Sequence, residues 1–175
     1  MSVGLVETSR GAYRLRRPTR QTSRVMPLPV FRYHPDPVTT EMVTETARAC
    51  VCCGEARGVV YAGAVFAEDR LDERLCPWCV ADGSAARRFG AAFTDVGVGV
   101  PPGVPPEVLD ELATRTVGFA GWQREHWMYH CNDAAAFLGL ASDAPSGLAA
   151  TADVSTTYLF RCLHCPTELS YSDAP

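Results

Sequence analysis

The 175-residue sequence contains no lysine: all sixteen of its basic residues are arginine. That absence is a coding signature of a GC-rich genome, not a chemical choice. No apolar run approaches the roughly 18 residues that a bilayer-spanning helix needs, which excludes a transmembrane helix and predicts no membrane partner. The N-terminal stretch lacks the apolar core of a secretory signal, so a reducing, cytoplasmic setting is expected. Acidic residues are almost missing from residues 1–26, where six arginines face Glu7 alone, a net of +5. Cations are correspondingly thin elsewhere: residues 27–175 hold ten arginines against nineteen acids, a net of −9. Nucleic-acid affinity needs clustered cations, so no nucleic-acid partner is expected. A body this acidic suits a basic protein partner instead, drawn in by electrostatic steering.

The chain does have enough apolar material for a packed core, at 47%. Residues 1–26 are Arg- and Ser/Thr-rich with no apolar periodicity, and they read as a disordered basic extension. An organelle transit peptide shares that composition. Residues 27–175 then form a single domain. Gly and Pro are frequent, so many turns and little regular structure per residue are expected.

Cysteine carries most of the chemistry. The eight thiols stand at 50, 52, 53, 76, 79, 131, 162 and 165. In a reducing compartment a disulfide framework is not expected. Three Cys-x-x-Cys pairs appear: Cys50–Cys53, Cys76–Cys79 and Cys162–Cys165. One such pair presents two thiolates from a tight turn, and two pairs complete the tetrahedron that zinc prefers. Gly54 follows Cys53, where the chain leaves the turn. Segments 59–62 and 64–66 then read as a β-hairpin around Gly63. Pro77 suits a first helical turn, and Val80, Ala81, Ala85 and Phe89 follow at helical spacing. The order is knuckle, hairpin, then a second pair at a helix start. The expected fold is therefore α+β: a treble-clef-like zinc module with short antiparallel strands and two or three helices. Cys50, Cys53, Cys76 and Cys79 are its expected zinc ligands. Four thiolates leave no open position for water, so this site is structural. Cys52 points away from the metal. The competing uses of Cys76–Cys79 are a redox dithiol and simple buried thiols.

A second zinc site is available to Cys131, Cys162 and Cys165. Its fourth ligand is His130 if the chain bends at Asn132, and His126 if it does not. Strand 158–162 would have to lie beside residues 125–131, with 169–171 returning as its partner. Asp133 reads as the N-cap of a helix over 134–138, closed by Gly139. His164 is expected in solvent. A competing reading makes His126, His130 and Asp133 the centre of a metal-dependent hydrolase of nuclease type.

The remaining segments read as scaffold. A helix starts at Pro105-Pro106 and runs to about Arg115, with Val108, Leu109 and Leu112 on one side. Trp122 and Trp127 are core anchors. Residues 31–34 form a short strand, and His34 is either on the surface or capped. Residues 141–155 read as a mobile loop.

The ordered segments LPVFRYHPDPVTT, CVCCGEARGVVYAGAVFAED, LCPWCVADGSAARRF, FAGWQREHWMYHCNDAAAFLG and YLFRCLHC resemble the CbrC family of small bacterial proteins over about residues 28–171. The family pattern keeps the three Cys pairs and His130-Cys131. This sequence departs at Pro166, where the pattern has glycine. The resemblance implies a stress-response or binding protein with no established reaction. It also implies a link to the CreBC two-component system and to tolerance of a nuclease-type colicin.

Overall fold

Tyr158 and Phe160 stand two residues apart, so an extended chain turns both to one face, where both are buried, and residues 156–161 form one of the two longest strands among the described residues. The computed structural model describes residues 26–122, 125–141 and 155–174. The basic extension, apart from Met26, and the expected mobile loop, apart from its end residues, lie outside these residues.

In chain order the elements are β1 (Val43–Glu45), β2 (Val59–Tyr61), α1 (Pro77–Ala81), α2 (Ser84–Phe89) and α3 (Pro106–Arg115). Then follow β3 (Tyr129–His130), β4 (Asp133–Ala134), β5 (Ala136–Leu140), β6 (Thr156–Arg161) and β7 (Glu168–Asp173). The fold is α+β, as the composition and motif order imply. Its sheets are small and antiparallel: β1 with β2, β3 with β4, and the order β5–β6–β7. None of the helices in the described residues is long and apolar enough to cross a membrane.

Several local expectations are corrected. The hairpin around Gly63 does not form. β2 pairs backward with β1, Val43 opposite Tyr61, and Phe66 makes one isolated bridge to Ala92. The Tyr61 side chain is the cause: it is fully buried, and its hydroxyl donates to the Ala64 carbonyl at 3.1 Å. The helix after Pro77 is broken in two at Gly83, which sits in the left-handed region with φ of 71°. α3 forms where Pro105 and Pro106 preset its start, and it buries Val108 and Leu112. Residues 31–34 bend and form no strand. The helix expected over 134–138 is β4 and β5 instead. Ala134, Ala135 and Ala136 are all buried, and β5 gains a partner in β6 that a local helix would forfeit. β6 accordingly lies between β5 and β7, not beside residues 125–131.

Two apolar clusters fill the interior. One gathers Phe31, Tyr61, Leu75, Val80, Phe93 and Val117, the other Tyr33, Leu112, Trp127, Phe137, Tyr158 and Phe160. Phe119 belongs to the second and stacks on Phe137, centroids 4.3 Å apart. A buried phenylalanine of this kind contributes about 1.5–3 kcal/mol. Trp127 is buried and donates its indole N–H to the Ala135 carbonyl at 2.9 Å. Trp122, expected as a second anchor, is 58% exposed. His34 takes the capped of its two expected roles. It is fully buried, 3.0 Å from the Val117 carbonyl and 2.7 Å from the Thr40 hydroxyl.

Candidate metal centres

The first thiol group grows out of the loop joining β1 to β2. Cys50 N–H donates to the Glu55 carbonyl at 2.9 Å, and Gly54 N–H returns to the Cys50 carbonyl at 2.7 Å. This tight turn needs φ of +77° at Gly54, a region that side chains avoid. The segment before Cys76 is laid across the hairpin by two backbone bonds, Val51 N–H to the Arg74 carbonyl and Tyr61 N–H to the Leu75 carbonyl. Cys76 then stands extended one residue before the Pro77 helix start, and Cys79 lies in the first turn. The knuckle therefore interrupts its hairpin and does not precede it.

The four sulfurs converge. Cys50 and Cys79 are 3.8 Å apart, as are Cys53 and Cys76, and all four lie within 4.8 Å of one another. A tetrahedron of metal–thiolate bonds of about 2.3 Å has edges of about 3.8 Å. Backbone amides point at the cluster: Cys52 N–H and Cys76 N–H reach Cys50 Sγ at 3.4 and 3.2 Å. Burial raises the Cys50 pKa, but the amides of Cys76, Cys53 and Cys52 outweigh it and bring it to about 7. Burial pushes Cys76 up to about 11, and Cys79 is raised as well. Four adjacent thiols cannot all ionise alone, and a divalent cation removes that conflict. The donor set, spacing and amide pattern all fit a metal. Burial works against the Arg57 charge, but a hydrogen bond to Cys53 and the nearby thiols together outweigh it and raise its pKa. Its guanidinium lies 5.2 Å from the Trp78 ring centroid. Cys52 turns away, its sulfur 3.6 Å from the Ser84 hydroxyl.

The second group is assembled from two hairpin turns. Cys131 and Asn132 join β3 to β4 with φ of 53° and 58°. Two consecutive positive values are the mark of a type I′ hairpin turn. The chain thus bends where His130 needs it to. His130 Nδ1 lies 3.2 Å from Cys131 Sγ, 3.4 Å from Cys162 Sγ and 3.5 Å from Cys165 Sγ. Cys131 and Cys165 are 3.9 Å apart, and all four donor atoms fall within 4.8 Å. The knuckle between β6 and β7 closes through Thr167, whose carbonyl accepts from Cys162 N–H at 2.9 Å. Pro166 is accommodated without the glycine of the resembling pattern. The Thr167 hydroxyl is 3.2 Å from Cys165 Sγ, and with the Thr167 amide it lowers the Cys165 pKa to about 6. Burial and the neighbouring sulfurs raise Cys131 to about 11.

Asp133, paired opposite His130 across β3 and β4, braces this group. Its Oδ2 lies 2.6 Å from Arg32 and 2.6 Å from His164 Nε2, and its Oδ1 accepts from the Tyr33 hydroxyl at 2.8 Å. Burial opposes the Asp133 charge, but the bonds from His164, Tyr33 and Arg32 hold its pKa below the usual carboxylate range. His164 is half exposed yet tied down, which its position inside the knuckle did not reveal. Arg32 and Tyr33 reach Asp133 across about a hundred residues of chain, and no local signal marks that contact. His126 joins neither group; its ring packs on Tyr171 at 5.3 Å. His126, His130 and Asp133 therefore face three different sets of partners. Cys76 and Cys79 are both buried among the other thiols.

The molecule is thus an α+β protein with two four-donor groups, one of four cysteines and one of three cysteines and a histidine, each able to hold a metal ion. It belongs to the family described as "Uncharacterised protein family (UPF0167)", which matches residues 28–153. That match takes in the first group and His130-Cys131 but stops short of Cys162 and Cys165. The chain is similar to the UPF0167 protein Mb2317 of Mycobacterium bovis, 44% identical over 184 residues, covering 89% of this chain and 98% of that protein. The UPF0167 protein PA1536 of Pseudomonas aeruginosa is 46% identical over 114 residues, covering 65% and 64%. No solved structure matches the chain.

Proposed function

We propose that residues 27–175 are a single zinc-stabilised binding domain with one zinc in each group, working in the cytoplasm by contact with a basic protein. The observation that carries this reading is the donor count: each group supplies four sulfur or nitrogen donors within 4.8 Å, which saturates a tetrahedral zinc. A saturated metal has no place for a reacting water, so both zincs hold structure. The sulfur-rich donors select zinc over hard cations such as magnesium or calcium. The net of −9 over residues 27–175 supports a cationic partner. The CbrC resemblance points the same way, toward protection against a basic nuclease toxin. Native mass spectrometry of the whole chain tests the reading, with two zinc ions per chain expected. One ion removes one of the two zincs from the reading, and none overturns it.

A further inference from the structure

Where the two apolar clusters meet, a cavity of about 480 Å³ opens to the surface. That lies within the range of small-ligand pockets, roughly 300–1,000 Å³. Met42, Ala64, Phe66 and Phe119 supply apolar walls, while Asp95 and Glu125 are its acidic residues. Phe66 is 49% exposed, an apolar ring left in water beside the opening.

Glu125 is the unusual member. It is only 9% exposed, on a pocket wall that is otherwise mostly apolar. Burying a carboxylate is expensive unless its oxygens are satisfied. Two amides hold it: Phe119 N–H reaches Oε1 at 3.2 Å and Asp95 N–H reaches Oε2 at 3.3 Å. Each oxygen keeps acceptor capacity beyond these bonds. The carboxyl is pressed so close to the backbone that a Cβ at position 118 would run into Oε1 as well as lie 2.6 Å from the Phe93 carbonyl, so only glycine fits there. Burial raises the Glu125 pKa to about 7 against the pull of the Asp95 and Phe119 amides, so a cation meets a charged carboxylate at and above neutral pH. Neither metal group uses this residue.

We infer that this cavity is a binding site for a small organic cation, an ammonium or guanidinium head on a short apolar stem. The head meets Glu125, and the stem lies against Met42, Phe66 and Phe119. A buried carboxylate on a mostly apolar wall favours a cationic donor over a neutral alcohol or amide. The site is separate from both metal groups and stands whether or not zinc fills them.

The test is a nitrogen–proton correlation titration of the metal-loaded full chain with n-pentylamine, n-pentylguanidine and 1-pentanol. Shifts are expected at the amides of residues 62–64 and 118–121, with either cation binding at least about tenfold tighter than the alcohol. Glu125→Gln should erase most of that preference and leave the zinc content unchanged. Ala64→Leu, which narrows the cavity, should weaken both cations and the alcohol together. Blocked arginine, N-acetyl-arginine methylamide, separates the sources. Binding as tight as pentylguanidine assigns the site to a partner's side chain, and exclusion assigns it to a free amine. Three results overturn the inference: no shifts at these amides, alcohol binding equal to amine binding, or an unchanged preference in Glu125→Gln. Should that variant fail to fold, the wild-type shift map and the amine-to-alcohol ratio decide alone.

Discussion

The two metal groups share a donor count and little else. In the first, Cys50, Cys76 and Cys79 are buried, and all three belong to the apolar cluster around Tyr61 and Leu75. In the second, Cys131 is exposed, Cys165 is half-buried and only Cys162 is buried. The first is framed by helix start and hairpin, with backbone amides as its supporting donors. The second is framed by two hairpin turns and braced by side chains: Thr167 on Cys165, Asp133 through His164. A group embedded in a core fails together with that core. A group at a surface corner can lose its metal while the sheet beside it stays folded.

The sharpest way to break this contrast is to remove one thiol from each. Cys76→Ser should release one metal equivalent and cost several kcal/mol, comparable with the whole stability of a small domain. Cys131→Ser should release the other equivalent with a clearly smaller drop in Tm. Metal content and thermal melts read both, and equal drops would show that the second group is as deeply coupled as the first.

The junction between the halves gives the next effect. His34 bonds Val117 of one cluster and sets its ring edge against Phe137 of the other, at 5.0 Å. Burial lowers its pKa to about 4, below the ordinary value of 6.5. The folded ring is neutral, and the unfolded chain takes up the proton first as pH falls. Its contribution is therefore full above about pH 6.5 and is lost as pH drops toward 4, by on the order of 3 kcal/mol. Denaturant midpoints between pH 7 and 4 should fall more steeply for the wild type than for His34→Gln. Acid release of metal acts on both chains, so the difference isolates His34; parallel slopes would remove its role.

Smaller effects sharpen the contrast further. Asp133→Asn leaves His164 and Arg32 without their anion. It should weaken the second group's metal affinity by about tenfold and leave the first unchanged, as competition with a chromophoric chelator would show. Cys52→Ser should change stability by no more than about 0.5 kcal/mol and keep both metals, since that sulfur faces Ser84. A metal lost from Cys52→Ser would move Cys52 into the first group.

Much of the first group was legible because its information is local. Two pairs at fixed spacing, Gly54 at the knuckle and Pro77 at the helix start each act within a few residues. The site's partner strand was not legible: β1 is three residues, VTE, too short and polar to announce itself. The alanines at 134–136 favour helix locally, and only pairing with β6 explains their strand. The second group was half legible. Its three thiols could be named and its histidine narrowed to His130 or His126, but the turn that aims His130 depends on positive φ at Cys131, which a cysteine does not advertise. Trp122 and His34 show the same limit from the other side, since burial is decided by the whole fold.

With a metal bound, each four-donor group would also be a cross-link in the polymer sense. The second would tie residue 131 to residue 162, around strands β5 and β6, which already pair between Leu140 and Tyr158. Closing such a ring removes conformations from the unfolded chain, so the metal would stabilise the sheet of β5, β6 and β7 beyond the side chains it touches.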